Sequence, residues 1–438
     1  MAKVVKFFQV HGKGAGIDIG TRQIFVSVDG TSAVNFQTYT ADYEVCCKYL
    51  LENGITEVAM EATGVYWFCL YTMLEDHGIR VCLVNPREVQ QVRGRKSDVQ
   101  DCQWIQQLFT AGLLRESLIP QGLLKELRFL VRERLDLIES SSTYVNKMQR
   151  ALELMNIKLA NVISQIQGAS GLKILRAILA GERDPERLAS LCHKSILKTK
   201  AENIVKSLHG NYNGVYLSML RHALEMWEFH MAQIKELEQE ISVLLDRINR
   251  DTSQVEVKGA PRPTRHHNPA IEDLHTKMVQ IYGGIDLTGI AGINDVTLMR
   301  LLAEVGTDLD RFPDVGHFVS WLGLSPAHKQ SGKMKRRIKG NPSNHAGQIF
   351  RQCAQSLIAS RYNAIGEFMR RLRSRKGSRI AIKAGARKIA QAYYNALTKG
   401  LEYVEQGAEQ YKKMLKQREI DLMKKLAKKH AFELKECA

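Results

Sequence analysis

The sequence predicts an α/β domain followed by a mostly helical remainder built around a central coiled coil. Three observations carry this. Residues 16–115 alternate short apolar strands with amphipathic helices. Two long central runs step their apolar residues by three and four, the spacing of a helical seam. Beyond residue 274 the apolar spacing is again helical, punctuated by Gly and Pro. A chain of 438 residues is long for one core, so several domains are expected. The expected boundaries are 1–118 for the α/β domain, 119–250 for the coiled-coil region, 251–273 for a flexible linker, 274–400 for a C-terminal domain and 401–438 for a basic helical tail.

In order along the chain, GIDIGTRQIFVSVDG (16–30) reads as a β-hairpin. Its first strand carries Asp18, Gly20-Thr21 turns the chain, and Ile24, Val26 and Val28 alternate on the return. Residues 43–53 read as a helix stopped by Gly54, and EVAME (57–61) as a strand ending in a second carboxylate, Glu61. Residues 66–77 read as a helix closed by Gly78, and RVCLV (80–84) as a third strand ended by Asn85-Pro86. Ser97 is the expected N-cap of a helix holding Asp98 and Asp101.

A long helix is expected over 124–166, its seam running Val145, Met148, Leu152, Met155, Leu159, Val162, Ile166. Shorter helices and a loop fill 168–210. A second seam runs Leu217, Leu220, Leu224, Trp227, Met231, Ile234, Glu238, Ile241, Leu245, Ile248, with Glu238 its one break. An antiparallel coiled-coil arm, within or between chains, and an ordinary helical bundle both fit this pattern. In the C-terminal domain, Gly289-Ile290-Ala291-Gly292-Ile293 before an amphipathic helix resembles a helix–hairpin–helix, in which hairpin N–H groups meet a DNA phosphate. The GGIDLTG stretch (283–289) imitates the first hairpin, but helical rather than strand spacing follows it. Ser331-Gly332 is expected in a polar turn among Lys333, Lys335, Arg336 and Arg337. Residues 344–359 read as a helix, and 370–388 as a basic segment including Arg373, Arg375, Lys376 and Arg379. Ile382, Ala386, Ile389 and Tyr393 give that segment an apolar face, and a Lys-rich helix over 411–429 follows.

The formal net charge is +17, and its location matters more than its size. From Ser331 onward there are 26 Lys and Arg against 8 Asp and Glu, while residues 1–330 hold 37 and 38. A basic C-terminal quarter on a neutral body points to a polyanion met at one end. No run approaches the roughly 20 apolar residues that cross a bilayer, so no membrane partner is expected. The eight cysteines form no CxxC pair, which argues against zinc or a disulfide framework and for reduced thiols in the cytoplasm.

Four carboxylates remain: Asp18, Glu61, and Asp98 with Asp101 one helical turn apart. An acid in an apolar strand is costly unless something positive meets it. Strand-end and helix-start acids converging at a sheet edge suit magnesium, with manganese as the alternative ion, in a nucleic-acid-cutting sheet of the RNase H-like shape. A capped turn, with Asp18 bonded to nearby N–H groups, is the plain alternative. A phosphate hairpin of an actin-like ATPase would need a second Gly-rich loop, which is not found in the sequence.

GIDIG, MEATG with Tyr66-Trp67, Asn85-Pro86, KSDVQD (96–101), the GIAGI hairpin and GLSPAHKQSGK (323–333) together resemble, in the same order, the motifs of Piv/MooV-type DEDD transposases, the insertion-sequence family numbered one hundred and ten. The resemblance covers 16–115 and about 285–400. It implies an N-terminal RuvC-like domain whose acids, Asp18, Glu61, Asp98 and Asp101, bind magnesium, and a C-terminal transposase domain with Ser331 as nucleophile. It also implies donor and target DNA, a structured guide non-coding RNA and a homo-oligomer, a dimer or tetramer. Acids and serine would then have to act on one linkage from different domains. Ser325 is the rival hydroxyl, and Gly332 after Ser331 favours the latter. A RuvC-like junction-resolving nuclease using water is the alternative function, and a non-catalytic nucleic-acid scaffold a third.

Overall fold

Alternation in the first strands builds a sheet with two different faces. The structure, a computed structural model, describes residues 10–89, 98–250, 269–326, 328–331, 334–337, 343–360, 363–430 and 432. The chain divides into two compact units, Met1–Ile119 and Pro120–Ala438.

In the first unit β1 (Gly14–Ile19), β2 (Gln23–Ser27) and β3 (Val34–Gln37) form an antiparallel meander. Helix α1 (Thr40–Glu52) leads to β4 (Glu57–Glu61), and α2 (Trp67–Asp76) leads to β5 (Arg80–Val84). β4 lies parallel to β1 and β5 parallel to β4, giving the order β3-β2-β1-β4-β5. A parallel return needs a crossover, which α1 and α2 supply. One turn, α3 (Pro86–Val89), and α4 (Asp98–Thr110) complete the unit. Ile17, Ile19, Ile24 and Val26 share one core with Leu50 of α1 and Leu70 and Leu74 of α2. On the opposite face Ala59, Cys82 and Val84 meet Ile105 and Phe109 of α4. A mixed five-stranded sheet with helices on both faces is the RNase H-like arrangement. Strand β3 was not expected: Val34 and Phe36 alternate with Asn35 and Gln37, but over only four mostly exposed residues. Ser97 lies outside the described residues.

In the second unit α5 (Leu123–Leu154) and α10 (Gly214–Arg250) run antiparallel, with Arg134 opposite Glu238 and Tyr144 against His230. The Glu238 break is thereby explained. Its carboxylate takes a bond from Arg134 Nε at 2.8 Å, both side chains buried between the helices, and another from the Ala270 N–H at 2.7 Å. The expected helix to residue 166 is corrected. It ends at Leu154, and Asn156 takes a left-handed φ of 57°, a conformation Asn tolerates better than most residues. Leu159, Val162 and Ile166 continue the spacing but lie beyond the helix, in a small helical core that the end of α5 shares. That core is completed by α6 (Leu159–Val162), α7 (Ala169–Leu179), α8 (Pro185–Ser190) and α9 (Lys194–Ser207).

Residues 251–268, most of the expected linker, lie outside the described residues. Its end is anchored, with Ile271 buried and Ala270 bonded to Glu238. Then come α11 (Leu274–Ile281), a 3-10 turn at Leu287–Gly289, α12 (Asp295–Val305), α13 (Val315–Trp321), α14 (His345–Leu357), α15 (Ala364–Lys376), α16 (Ser378–Lys399) and α17 (Leu401–Lys429). Between α13 and α14 the backbone of β6 (His328–Ser331) pairs antiparallel with β7 (Met334–Arg337). Tyr393 of α16 is fully buried beside Phe318, Phe350 and Tyr282, at the centre of the C-terminal core.

Candidate active site

Strand register positions the first two acids. Ile17 pairs with Met60, so Asp18 and Glu61 come one residue further on, at the C-terminal ends of adjacent parallel strands. Alternation puts Ile17 and Ile19 on the α1–α2 side and Asp18, with Gly14 and Gly16, on the α4 side. Glu61 shares its face with Ala59, which packs under α4.

Helix α4 brings the other two acids over that edge, and glycine lets it approach. A Cβ on Gly16 would stand 2.3 Å from both the Cys102 carbonyl oxygen and the Gln106 nitrogen. Three glutamines then pin the helix to backbone carbonyls. Gln106 Nε2 donates to Gly14 O at 3.1 Å, Gln103 Nε2 to Thr31 O at 2.8 Å and Gln107 Nε2 to Gly30 O at 2.7 Å. With Cys102 over Gly16, the preceding turn, Asp98 to Asp101, lies toward Asp18. The glutamines escaped sequence reasoning because polar residues on a helix read as a solvated face. The two-residue spacing of Gly14, Gly16 and Asp18 was the available signal of a close-packed strand face.

Electrostatics shows that the four acids feel one another. Asp18 is pushed up to about 7, first by burial, then by the charges of Asp98, Asp101 and Glu61. Glu61 is raised by burial and by Asp101, against a 3.0 Å bond from Thr63 Oγ1. The Cys102 thiol, pushed up to about 12 by burial and by Asp18, stays neutral. Among the described residues no three His, Cys, Asp or Glu side chains are already gathered as a metal-holding group. The donor set nevertheless fits a hard divalent cation. It is all oxygen, half-buried in part, and its mutual repulsion is what a dication relieves.

The C-terminal residues fall in three places. Ser331 ends β6, its backbone paired with Met334, so the expected polar turn is the end of a β-ribbon. Lys335, Arg336 and Arg337 lie along β7, while Gly332 and Lys333 are outside the described residues. In the hairpin between α11 and α12, Gly292 has a φ of 86° and the space beside Gly289 is open. Asn294 caps α12, its side chain accepting from Thr297 N at 2.8 Å. The GGIDLTG stretch ends in the 3-10 turn, with Asp286 accepting from Thr288 N at 2.9 Å. Arg373, Arg375 and Lys376 at the end of α15 and Arg379 at the start of α16 are all exposed, and no acid pairs with them among the described residues.

A mixed sheet carrying acids at one edge under a closely packed helix is the arrangement of enzymes of metal-dependent phosphoryl transfer on nucleic acid. Residues 15–157 match the DEDD transposase domain of the IS110 family, and residues 286–370 match the Transposase IS116/IS110/IS902 family. The chain therefore belongs to the IS110 family of transposases, enzymes that act on DNA by phosphoryl transfer with divalent metal ions. No curated protein matches it. No helix among the described residues is long and apolar enough to cross a membrane.

Proposed function

We propose that this transposase, working in the cytoplasm, cuts and rejoins donor and target DNA under the guidance of a structured non-coding RNA, through a covalent phosphoserine link at Ser331. Asp18, Glu61, Asp98 and Asp101 would hold magnesium or manganese. When bound, such ions supply Lewis-acid stabilisation of charge developing at the scissile phosphate. The observation that carries the metal reading is that burial, together with the charges of Asp98, Asp101 and Glu61, lifts Asp18 to about 7.

The chain's own hydroxyl does the covalent work. Ser331 Oγ attacks phosphorus. The Oγ–P bond forms as the P–O bond to the leaving strand breaks, the serine proton is lost and the released strand oxygen is protonated. Attack by the hydroxyl of a second DNA end reverses these changes, so rejoining needs no outside energy source. A serine is a weak nucleophile without positive charge facing the phosphorane. The cations that follow Ser331, Lys333, Lys335, Arg336 and Arg337, are the sequence's source of it. The hairpin at Gly289 and Gly292 and the exposed corner of Arg373, Arg375, Lys376 and Arg379 would hold backbone phosphates. A homo-oligomer, a dimer or tetramer, would bring two DNA ends together.

The test denatures a reaction of protein, co-purified RNA and DNA and looks for a protein–DNA adduct. The adduct is expected with the native chain and lost in Ser331→Ala, with nucleic-acid binding kept. Full strand transfer by Ser331→Ala refutes the serine role. Metal-dependent cutting with no adduct at all identifies the water-using, junction-resolving alternative.

A further inference from the structure

Helix α17 (Leu401–Lys429) is unexplained by the family, whose matched segments stop at residue 370. It packs on α16. Toward its far end Leu422, Met423 and Leu426 are 56, 50 and 47% exposed. By sequence spacing, Leu401, Val404, Ala408, Tyr411, Leu415, Leu422 and Leu426 fall within about 80° of arc at 100° per residue, one continuous apolar stripe. A helix with such a stripe is stable when something covers it.

The charge pattern says what. The basic excess thins in this helix: residues 331–400 hold 17 basic and one acidic residue, but 401–429 hold eight and five. The two ends of α17 instead carry opposite signs, with both signs mixed between them at Lys412, Lys413, Lys416, Arg418, Glu419 and Asp421. Its start carries Glu402, Glu405 and Glu409, and its end carries Lys424, Lys425, Lys428 and Lys429. This end-to-end difference suits the helix's own dipole, which favours acids first and bases last. It also makes the helix complementary to a second copy of itself laid antiparallel. The acidic start of each then lies along the basic end of the other, and the two stripes close on one another. A parallel pair would set lysines against lysines.

We propose that α17 is a self-association clasp, pairing antiparallel with the α17 of a second copy of this chain. This does not rest on the serine chemistry. A single helix pair buries less than the roughly 1,200 Å² of a stable interface, so the clasp reinforces an oligomer held elsewhere.

Sedimentation of the full chain freed of nucleic acid tests it. Leu422→Glu with Leu426→Glu is expected to raise the dissociation constant at least about tenfold, the scale of one leucine lost from an interface. Circular dichroism checks that the helix persists. Two surface-charge variants guard against misfolding: Glu402→Lys/Glu405→Lys/Glu409→Lys, and Lys424→Glu/Lys425→Glu/Lys428→Glu. Each is expected to associate weakly alone, and an equimolar mixture of the two to regain native association. Unchanged self-association in the leucine variant, or failure of the mixture to recover, overturns the clasp. Loss of DNA or RNA binding with self-association intact overturns it in favour of a nucleic-acid role.

Discussion

Replacing Gly16 by alanine tests the whole construction of the acid site with one methyl group. The new Cβ would sit 2.3 Å from the Cys102 oxygen and the Gln106 nitrogen and 2.8 Å from the Gln106 Cα. Ordinary contact begins near 3.5 Å, so about 1 Å must be found, and the obstacles are backbone atoms that cannot swing aside. Overpacking of this kind costs about 1–3 kcal/mol, and a backbone obstacle puts Gly16→Ala at the upper end. For a unit of this size that lowers Tm by on the order of 10 °C. The relief is a shift of α4, which carries Asp98 and Asp101 away from Asp18. A 1 Å misplacement of catalytic groups costs about 100-fold in rate. Gly12→Ala, whose Cβ meets nothing within 4 Å, is the control and should leave both unchanged. The assays are a thermal melt of the full chain and magnesium-dependent strand cleavage. A variant with native Tm and native cleavage would refute the close approach of α4 and with it the placement of the helix acids.

Three further outcomes follow from named contacts. Asp18 ionises near 7 in the fold but near 3.8 in an ordinary environment, so between those values the folded chain holds a proton the unfolded chain has lost. Stability of the metal-free protein therefore falls as pH rises through that window. Asp18→Asn should flatten the slope in denaturant titrations and add roughly 2 kcal/mol above pH 7, discounted for the side chain's partial exposure. Arg134→Ala strands the buried Glu238 carboxylate and should cost about 3–5 kcal/mol, whereas Arg134→Leu with Glu238→Leu should recover most of it in chemical denaturation. Alanine at Arg373, Arg375, Lys376 and Arg379 together should flatten the plot of log affinity against log salt by about 3, read by DNA binding at several salt concentrations.

How far the sequence could be read depended on whether the signal was local. The strands around Asp18 and Glu61 were legible because apolar alternation and Gly punctuation are contained in a few residues. β3 was not, since the alternation of Val34 and Phe36 spans only four residues. The seam through Met155 and Leu159 overran the true end of α5 because both residues are buried in one core that the end of the helix shares with the short helices beyond it. Only the left-handed Asn156 between them marks the change. Glu238 was visible as a break, but its partner Arg134 lies 104 positions away, and no local pattern names it. The strands flanking Ser331 were illegible because HKQS and MKRR have no apolar alternation. At the acid site, the carboxylates could be listed from sequence, while the glutamines and Gly16 that set their spacing became apparent only as contacts.

The stop at Asn156 has a further consequence. Where the chain leaves α5 and where it returns toward α10, two main-chain bonds stitch the passing segments: Lys158 N to Ser207 O at 2.8 Å and Asn211 N to Met155 O at 3.0 Å. Everything from α6 to α9 is thus a closed excursion whose entrance and exit are neighbours, the condition under which domains tolerate insertion and exchange. The two long helices supply a socket. A different module spliced between them would have to cover the same apolar residues, Met148, Ala151 and Leu152 of α5 and Leu220, Ala223 and Leu224 of α10, on which this excursion now packs.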